Sequence, residues 1–381
     1  MSLEPARVRI LRRQSIRPLT SNDIAAVAAV LERVFRSDRS AAPDRLADYV
    51  RRMCLDPPGY DPEIPSLVYE DAQGRIGGFL RVSVQRMIFD GRPIRMACSG
   101  PFATLPEARA KGAGVFLLRH FLGGPQDLSI TDGANDQGRY LWEQLGGQTA
   151  HLHSLGWIRL LRPAAFASQY IGRKHPALRP VVSMSRPLSV LLDGAARSLL
   201  KNGMLRPARS TEKLVEEDLA PEAMAAAWPR LSARWRLHPD YGKSYLAWLL
   251  DEMSSVTSRG PLIGRQVRDS NGKLSGWYLY YLSPSRIAEV MQIVADENNE
   301  NEIFASLLLD ADRRGATAVQ GRLEAWLIDP LYRNRCRSYH RAPTLALVHA
   351  RRSEVTAAVH AGQAFLTRAD GEWWTGFREQ F

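Results

Sequence analysis

The chain of 381 residues is poor in cysteine and in lysine. Three cysteines, Cys54, Cys98 and Cys336, are too few and too far apart for a disulfide framework, and none belongs to a CxxC pair. A reducing compartment is expected. No apolar run approaches the roughly 18–20 residues that cross a bilayer, and Arg7, Arg9, Arg12, Arg13 and Arg17 interrupt Met1 to Leu19, so the N-terminus has no signal-peptide core. No membrane span is expected, and the cytoplasm is the simplest location. Of the 51 basic residues only six are lysine, leaving 45 arginines scattered along the chain rather than massed in a tail. The net charge of +11 raises nucleic acid or an anionic ligand as a partner, but the dispersion favours a generally basic surface, so nucleic acid ranks last.

What is present is enough for a packed core. With 45% hydrophobic and 24% charged residues, disorder and low-complexity classes are excluded. The length suggests two domains.

Residues 15–35 read as a short strand, a capping residue at Ser21 or Asn22, and a helix with Ile24, Val27, Leu31, Val34 and Phe35 on one face. A second helix is expected around Pro43 to Leu55. Strands follow at Ser66 to Asp71, Ile76 to Phe89 and Ile94 to Phe102, separated by the hairpin signals Ala72-Gln73-Gly74 and Asp90-Gly91. Then come a loop and helix at 104–122, a strand at Leu128 to Thr131, a helix near Asn135 to Leu145, and further strand at 149–161. This order makes an α/β domain over residues 1–161. Residues 162–210, with Pro163, Pro176, Pro180, Pro187 and Pro207 among basic residues and one helical stretch at Leu188 to Leu200, read as a connector. Residues 211–381 echo the first pattern: Asp71 to Phe79 is matched in register by Asp269 to Trp277, at an offset of 198. A second copy of the fold is expected there.

The most informative stretch is Pro106-Glu-Ala-Arg109-Ala-Lys111-Gly112-Ala-Gly114, directly before the apolar helix Val115 to Leu122. Glycines at a helix N-terminus let backbone N–H groups approach an anion, the helix dipole adds partial positive charge, and Arg109 and Lys111 add formal charge. A pyrophosphate suits such a loop. The spacing is not Gly-x-Gly-x-x-Gly with a following acidic residue, nor does it contain Gly-Lys-Ser/Thr, which disfavours dinucleotide and P-loop folds.

Residues 15–161 resemble a GNAT (general N-acetyltransferase) domain. Ile16-Arg17-Pro18-Leu19-Thr20-x-x-Asp23 is similar to that family's first strand and helix. Pro106-x-x-Arg109-x-x-Gly112-x-Gly114 is similar to its acyl-CoA pyrophosphate loop, and Asn135-x-x-Gly138-x-x-x-Trp142-Glu-Gln-Leu145-Gly146 to its later helix motif. The resemblance implies two tandem domains of α/β (α+β) class, each a mixed, mostly antiparallel sheet flanked by helices, the C-terminal copy degenerate. It implies acetyl-CoA or another acyl-CoA as co-substrate. The pantetheine arm would lie along Ser99 to Thr104, including Phe102, Ala103 and Thr104. The pyrophosphate would sit on the N–H groups of Arg109, Ala110, Lys111, Gly112, Ala113 and Gly114, with Asn135 and Trp142 completing the site. An amine of a small molecule or peptide would attack the thioester. The family commonly has a tyrosine general acid seven residues after the asparagine; here Trp142 stands there, and indole cannot deliver a proton. Tyr140, Ser99 and Asp132 are therefore the candidate catalytic residues. His151 and His153 would share one face of a strand; no metal site is expected, since no further ligand cluster accompanies them.

After the strand Glu289 to Val294 the second copy reads Asp296-Glu297-Asn-Asn-Glu300-Asn-Glu302, acidic and without glycine, so it should repel pyrophosphate. It would complete the acceptor cleft, support a homodimer, or bind nothing. Its aromatic residues, from Trp228 to Trp374, read mainly as core and interface packing, the alternative being that some line a groove for a sugar or an aromatic amine. The survival-type aminoglycoside acetyltransferases of mycobacteria, a tandem group in this superfamily, place the terminal carboxylate in the active site; here an aromatic final strand at Trp373 to Phe381 is the simpler account. Two other functions stay open: a non-catalytic acyl-CoA-binding or sensing protein, and a cell-envelope aminoacyl or sugar acyltransferase.

Overall fold

The computed structural model describes residues 15–35, 43–174, 214–339 and 344–375. The connector helix expected at Leu188 to Leu200 and the chain end beyond Thr375 lie outside these residues. The first part of the chain runs β1 (Ser15–Pro18), α1 (Ile24–Phe35), α2 (Pro43–Cys54), β2 (Leu67–Glu70), β3 (Ile76–Phe89), β4 (Arg92–Thr104), α3 (Pro106–Arg109), α4 (Ala113–Leu122), β5 (Leu128–Ala134), α5 (Asp136–Gln144), β6 (Gln148–Thr149), β7 (Gly156–Leu160) and α6 (Pro163–Lys174). The second runs β8 (Val215–Asp218), α7 (Pro221–Leu231), β9 (Leu237–Pro239), α8 (Lys243–Ser255), β10 (Leu262–Arg268), β11 (Leu274–Leu282), β12 (Ile287–Ala295), α9 (Glu300–Arg313), β13 (Ala318–Arg322), α10 (Ile328–Arg333), β14 (Arg337–Tyr339), β15 (Leu345–Ala350) and α11 (Ser353–His360). The fold is α/β, with two mixed sheets flanked by helices.

The matched hairpins have the same geometry. Asp71 Oδ1 accepts from the N–H groups of Gln73 and Arg75, and Asp269 Oδ1 from those of Asn271 and Lys273, all at 2.9 Å. Gly74 and Gly272 both take φ +79°, the left-handed region that glycine enters without a Cβ clash.

The last strands are exchanged. The first sheet has the order β1-β2-β3-β4-β5-β15-β6, with β9 paired to β3, and the second the order β14-β7-β13-β12-β11-β10-β8. The expected single strand over 149–161 is therefore split: β6 stays in the first sheet, while β7 crosses and pairs with β13 and β14. In return β15 fills the gap between β5 and β6. Both transferred strands are fixed by indole bonds: Trp157 Nε1 of β7 donates to the Arg322 carbonyl at 3.0 Å, and Trp142 Nε1 of α5 donates to the Val348 carbonyl of β15 at 3.1 Å. A boundary at 161 thus does not separate the two sheets. It cuts after a strand that belongs to the other one.

Packing follows the exchange. One core cluster joins Val27, Leu31, Leu46 and Tyr49 of α1 and α2 to Leu249, Met253, Tyr281 and Trp374 of the second part. The aromatic residues of that part are mostly core, as their density suggested: the Trp228 ring lies 4.7 to 6.4 Å from those of Tyr241, Phe365, Trp277, His238 and Trp235. Two expectations are overturned. His151 and His153 do not alternate on a strand; His153 is buried in a single 3-10 turn, Leu152–Ser154, where burial pushes its pKa down to about 3. The aromatic C-terminal segment is not a strand over its described part: Trp373–Thr375 forms another 3-10 turn.

A polypeptide limited to residues 1–161 is expected not to fold, because its first sheet lacks β15 and its own β7 has no partner. Far-UV circular dichroism and amide dispersion in proton–nitrogen NMR spectra check this, against a cooperative transition for the full chain.

Candidate active site

The cleft is made by two strands that part. β4 and β5 pair in parallel only from Met96 with Leu128 to Cys98 with Ile130. Just beyond, β4 bulges: Val82 pairs with Ser99 but Leu80 with Phe102, so Gly100 and Pro101 together oppose Arg81. Arg81, 2% exposed, donates from Nη1 to the Gly100 carbonyl at 2.9 Å. The opening is a cleft of about 440 Å³, walled by Ser99, Pro101 and Phe102 of β4, Thr131, Gly133 and Ala134 of β5, and Asn135, Gly138 and Trp142 beside α5.

At the rim, Gly112 caps α4 with φ +79°. The N–H groups of Arg109, Ala110, Lys111 and Gly112 are donated to the carbonyls of Leu105, Pro106, Ala108 and Arg109. They are thus spent inside the turn, a correction to the expectation that the whole loop presents its amides. The first turn of α4, Ala113, Gly114 and Val115, retains N–H groups with no intrahelical acceptor. Arg109 folds back: its Nε and Nη2 reach the Thr104 hydroxyl and carbonyl at 3.2 and 3.1 Å. Lys111 is exposed.

The other expected residues divide. Ser99 and Phe102 line the cleft, and so does Trp142, although its N–H is already given to Val348. Asn135 lines it too, but its side chain caps α5, accepting from Gly138 N–H at 2.8 Å. Ala103 faces away into the core against α1. Tyr140 is 63% exposed on the outer side of α5 and does not reach the cleft. Asp132 lies between Thr131 and Gly133 on β5, and alternate side chains of a strand leave opposite faces. It turns into the interior, 5% exposed, where Arg322 Nη1 approaches its Oδ2 at 3.3 Å. Neither side chain is among those that line the cleft.

The residue that reaches the centre is Glu372, which the sequence reading did not single out. The chain after α11 passes between the sheets and places Glu372 in the splay. Its Oε1 accepts from Thr131 Oγ1 at 2.5 Å. A Cβ on Gly100 would lie 1.2 Å from Oε2, and one on Gly133 would lie 2.6 Å from Oε1, so both glycines make room for this carboxyl group. Burial above all, with Asp132 acting in the same direction, pushes the Glu372 pKa up to about 7 against the Thr131 bond, Arg81 and the Gly133 N–H, which lower it. A carboxylate titrating near neutrality is poised to take a proton from an attacking group. The second part of the chain also supplies a wall: Arg259 donates to the Trp373 carbonyl at 2.7 Å, and its guanidinium lies 3.6 Å from the centre of the Trp373 ring. The available signals were weak: an arginine inside the apolar run Gly78-Phe79-Leu80-Arg81-Val82, and acidic residues directly before Trp373-Trp374.

The equivalent place in the second sheet is closed. Asp296 is held by Arg230 and Lys273, and Glu300 and Glu302 occupy the first turn of α9. Gln292 on β12 is tied to Trp277, Tyr241 and Thr367.

Solved structures share this architecture. A GCN5-related N-acetyltransferase from Anabaena variabilis superposes with a TM-score of 0.57 at 13% identity, over 89% of this chain and 73% of that one. Another from Kribbella flavida gives 0.53 at 13% identity, over 90% and 72%. A conserved protein of unknown function from Enterococcus faecalis V583 gives 0.56 at 9% identity, over 88% and 72%. The chain thus has the fold of the GCN5-related N-acetyltransferases, as the three sequence motifs implied. No family model and no curated protein matches the sequence.

Gly100→Ala is expected to destabilise the protein by more than about 2 kcal/mol, since φ is +140° and the new methyl would overlap the Glu372 carboxyl. Denaturant unfolding measures it, and the loss should shrink when Glu372 is also cut to alanine.

Proposed function

We propose that the protein is an acyl-CoA-dependent N-acyltransferase, with acetyl-CoA the default donor, in which Glu372 is the general base. The observation that carries this reading is the carboxyl group of Glu372, enclosed in the strand splay of a GNAT fold with its pKa pushed up to about 7. The thioester would lie in the cleft between Ser99 and Thr131, and the pyrophosphate on the first turn of α4, where free N–H groups and the helix dipole meet it. Glu372 takes the proton of the attacking amine as the nitrogen–carbon bond forms. The carbon–sulfur bond breaks, and that proton balances the departing thiolate. Trp142 and Tyr140 have no part in proton transfer, which removes the difficulty raised by the missing tyrosine. The described residues hold no group of three or more His, Cys, Asp or Glu side chains able to bind a metal ion, and no described helix is long and apolar enough to cross a membrane. The acceptor is a primary amine of a small molecule or peptide.

Glu372→Gln is expected to lower kcat on the order of 10²–10³-fold with CoA affinity unchanged, measured by thiol release across an amine panel and by calorimetry. In the native protein the rate rises with pH through about 7, because the ionised form of Glu372 is the active one. The stability difference has the opposite sense. The native fold holds the Glu372 proton between the ordinary 4.5 and about 7, so a buried charge costs stability above that range. Glu372→Gln should therefore raise Tm at pH 8 and leave it unchanged at pH 4. Gly112→Asp keeps a residue type that tolerates the left-handed region but places a carboxylate at the helix N-terminus. CoA binding should weaken at least tenfold; unaltered binding would remove the basis of the proposal. CoA binding without transfer to any amine would favour the sensing function instead.

A further inference from the structure

Hydrogen bonds from both sheets' residues hold the C-terminal segment where Glu372 enters the splay. Asp132 Oδ1 accepts the backbone N–H groups of both Glu372, at 2.7 Å, and Trp373, at 3.0 Å. Its second oxygen meets Arg322 Nη1 of β13 at 3.3 Å, and Arg322 Nη2 donates to the Leu366 carbonyl at 2.8 Å, upstream on the same segment. Gly371 fits closely over this carboxylate: a Cβ there would lie 2.3 Å from Asp132 Cγ. Asp132 and Arg322 are 5% and 9% exposed. A buried carboxylate that joins a strand of one sheet to a strand of the other, through the backbone of the residue between them, can do two things. It fixes where Glu372 stands, and it places negative charge behind it.

We infer that Asp132 is a positioning residue for Glu372: its carboxylate anchors the Glu372 and Trp373 amides in the splay and sets the pH at which the Glu372 carboxyl group ionises, while Arg322 moderates that charge. The inference rests on the reading of Glu372 as the base. The charged and titratable groups around Glu372 support the division of roles. Burial is the largest influence and Asp132 on β5 raises the Glu372 pKa, whereas Arg81 on β3 lowers it. Cys98 on β4 and Tyr49 on α2 also feel the Glu372 charge, but burial pushes both of their pKa values up, so both stay neutral near pH 7. Arg259 also lines the cleft, with its guanidinium over the neighbouring Trp373 ring, and Asp132 and Arg81 act on the base in opposite directions.

The test reads the ionisation of Glu372 directly, by infrared difference spectra of carbon-13 glutamate-labelled protein, each variant against the same variant carrying Glu372→Gln. Asp132→Asn keeps an oxygen for the two amides and removes the charge. The Glu372 midpoint should fall by about one pH unit, as for loss of one neighbouring like charge. Arg322→Gln removes the moderating cation, and the midpoint should rise. A purely structural ion pair would give the same outcome for both: lower stability and no shift, or shifts of one sign, and either result overturns the inference. If a single variant does not fold because it leaves one buried charge unpaired, Asp132→Asn with Arg322→Gln removes both charges together. Its midpoint should still lie below that of the native protein, and coincidence with the native value would overturn the inference. No turnover is needed for any of these readings. Full activity of Glu372→Gln would sink the base assignment, while an unmoved Glu372 titration in the Asp132 and Arg322 variants would sink this one.

Discussion

The structure depends on one constraint: neither sheet is complete without a strand from the other part of the chain. β7 stands between β13 and β14, and β15 between β5 and β6. A strand lost from the middle of a sheet exposes two rows of backbone donors and acceptors and the apolar residues above them. The two parts therefore stabilise each other as neighbouring strands of one sheet do, not as two modules meeting at a surface.

The site follows from that exchange. After β15 has entered the first sheet, the chain turns through α11 and returns past Leu237, Gln292 and Gln85, which brings Glu372, Trp373 and Thr375 to the splay of β4 and β5. One carboxyl group reaches into this cleft, held by Thr131 and bounded by two glycines whose missing side chains leave the room. The buried polar residues along this return are bonded in series: Asp370 to Tyr241, Thr367 and Gln85, Arg322 to Leu366 and Asp132, Arg259 to Trp373. Interior charges survive only when paired or hydrogen-bonded, so this series fixes the segment more narrowly than apolar packing would.

The two sheets have the same strand logic and different contents. In the first, glycines and a bare helix turn leave a cleft. In the second, the corresponding helix start carries Glu300 and Glu302, and Gln292 closes the middle of β12 with three side-chain bonds. The second part instead lends Arg259 and the segment around Glu372 to the cleft of the first. Among the described residues, a cleft built from both parts is the architectural result.

Much of this was legible in the chain. Periodicity placed β3 at Ile76–Phe89 and a helix near Asn135 to Leu145, one residue longer at each end than α5, and the two Asp-x-x-Gly turns revealed the repeated hairpin. These features are local: a turn, a cap or an amphipathic face depends on residues within a few positions of one another. The glycine loop before α4 belongs to the same class, although only the folded turn shows which of its amides remain free. That Tyr140 and Asp132 point away from the cleft was not legible, because the direction of a side chain from a helix or strand depends on where that element docks. The exchange of β7 and β15 could not be read at all, since a strand carries the same alternation whichever sheet receives it. Glu372 lies 240 residues from Asp132 in the chain, and only the tertiary structure brings the two together and removes the water that would hold the glutamate pKa at its ordinary value.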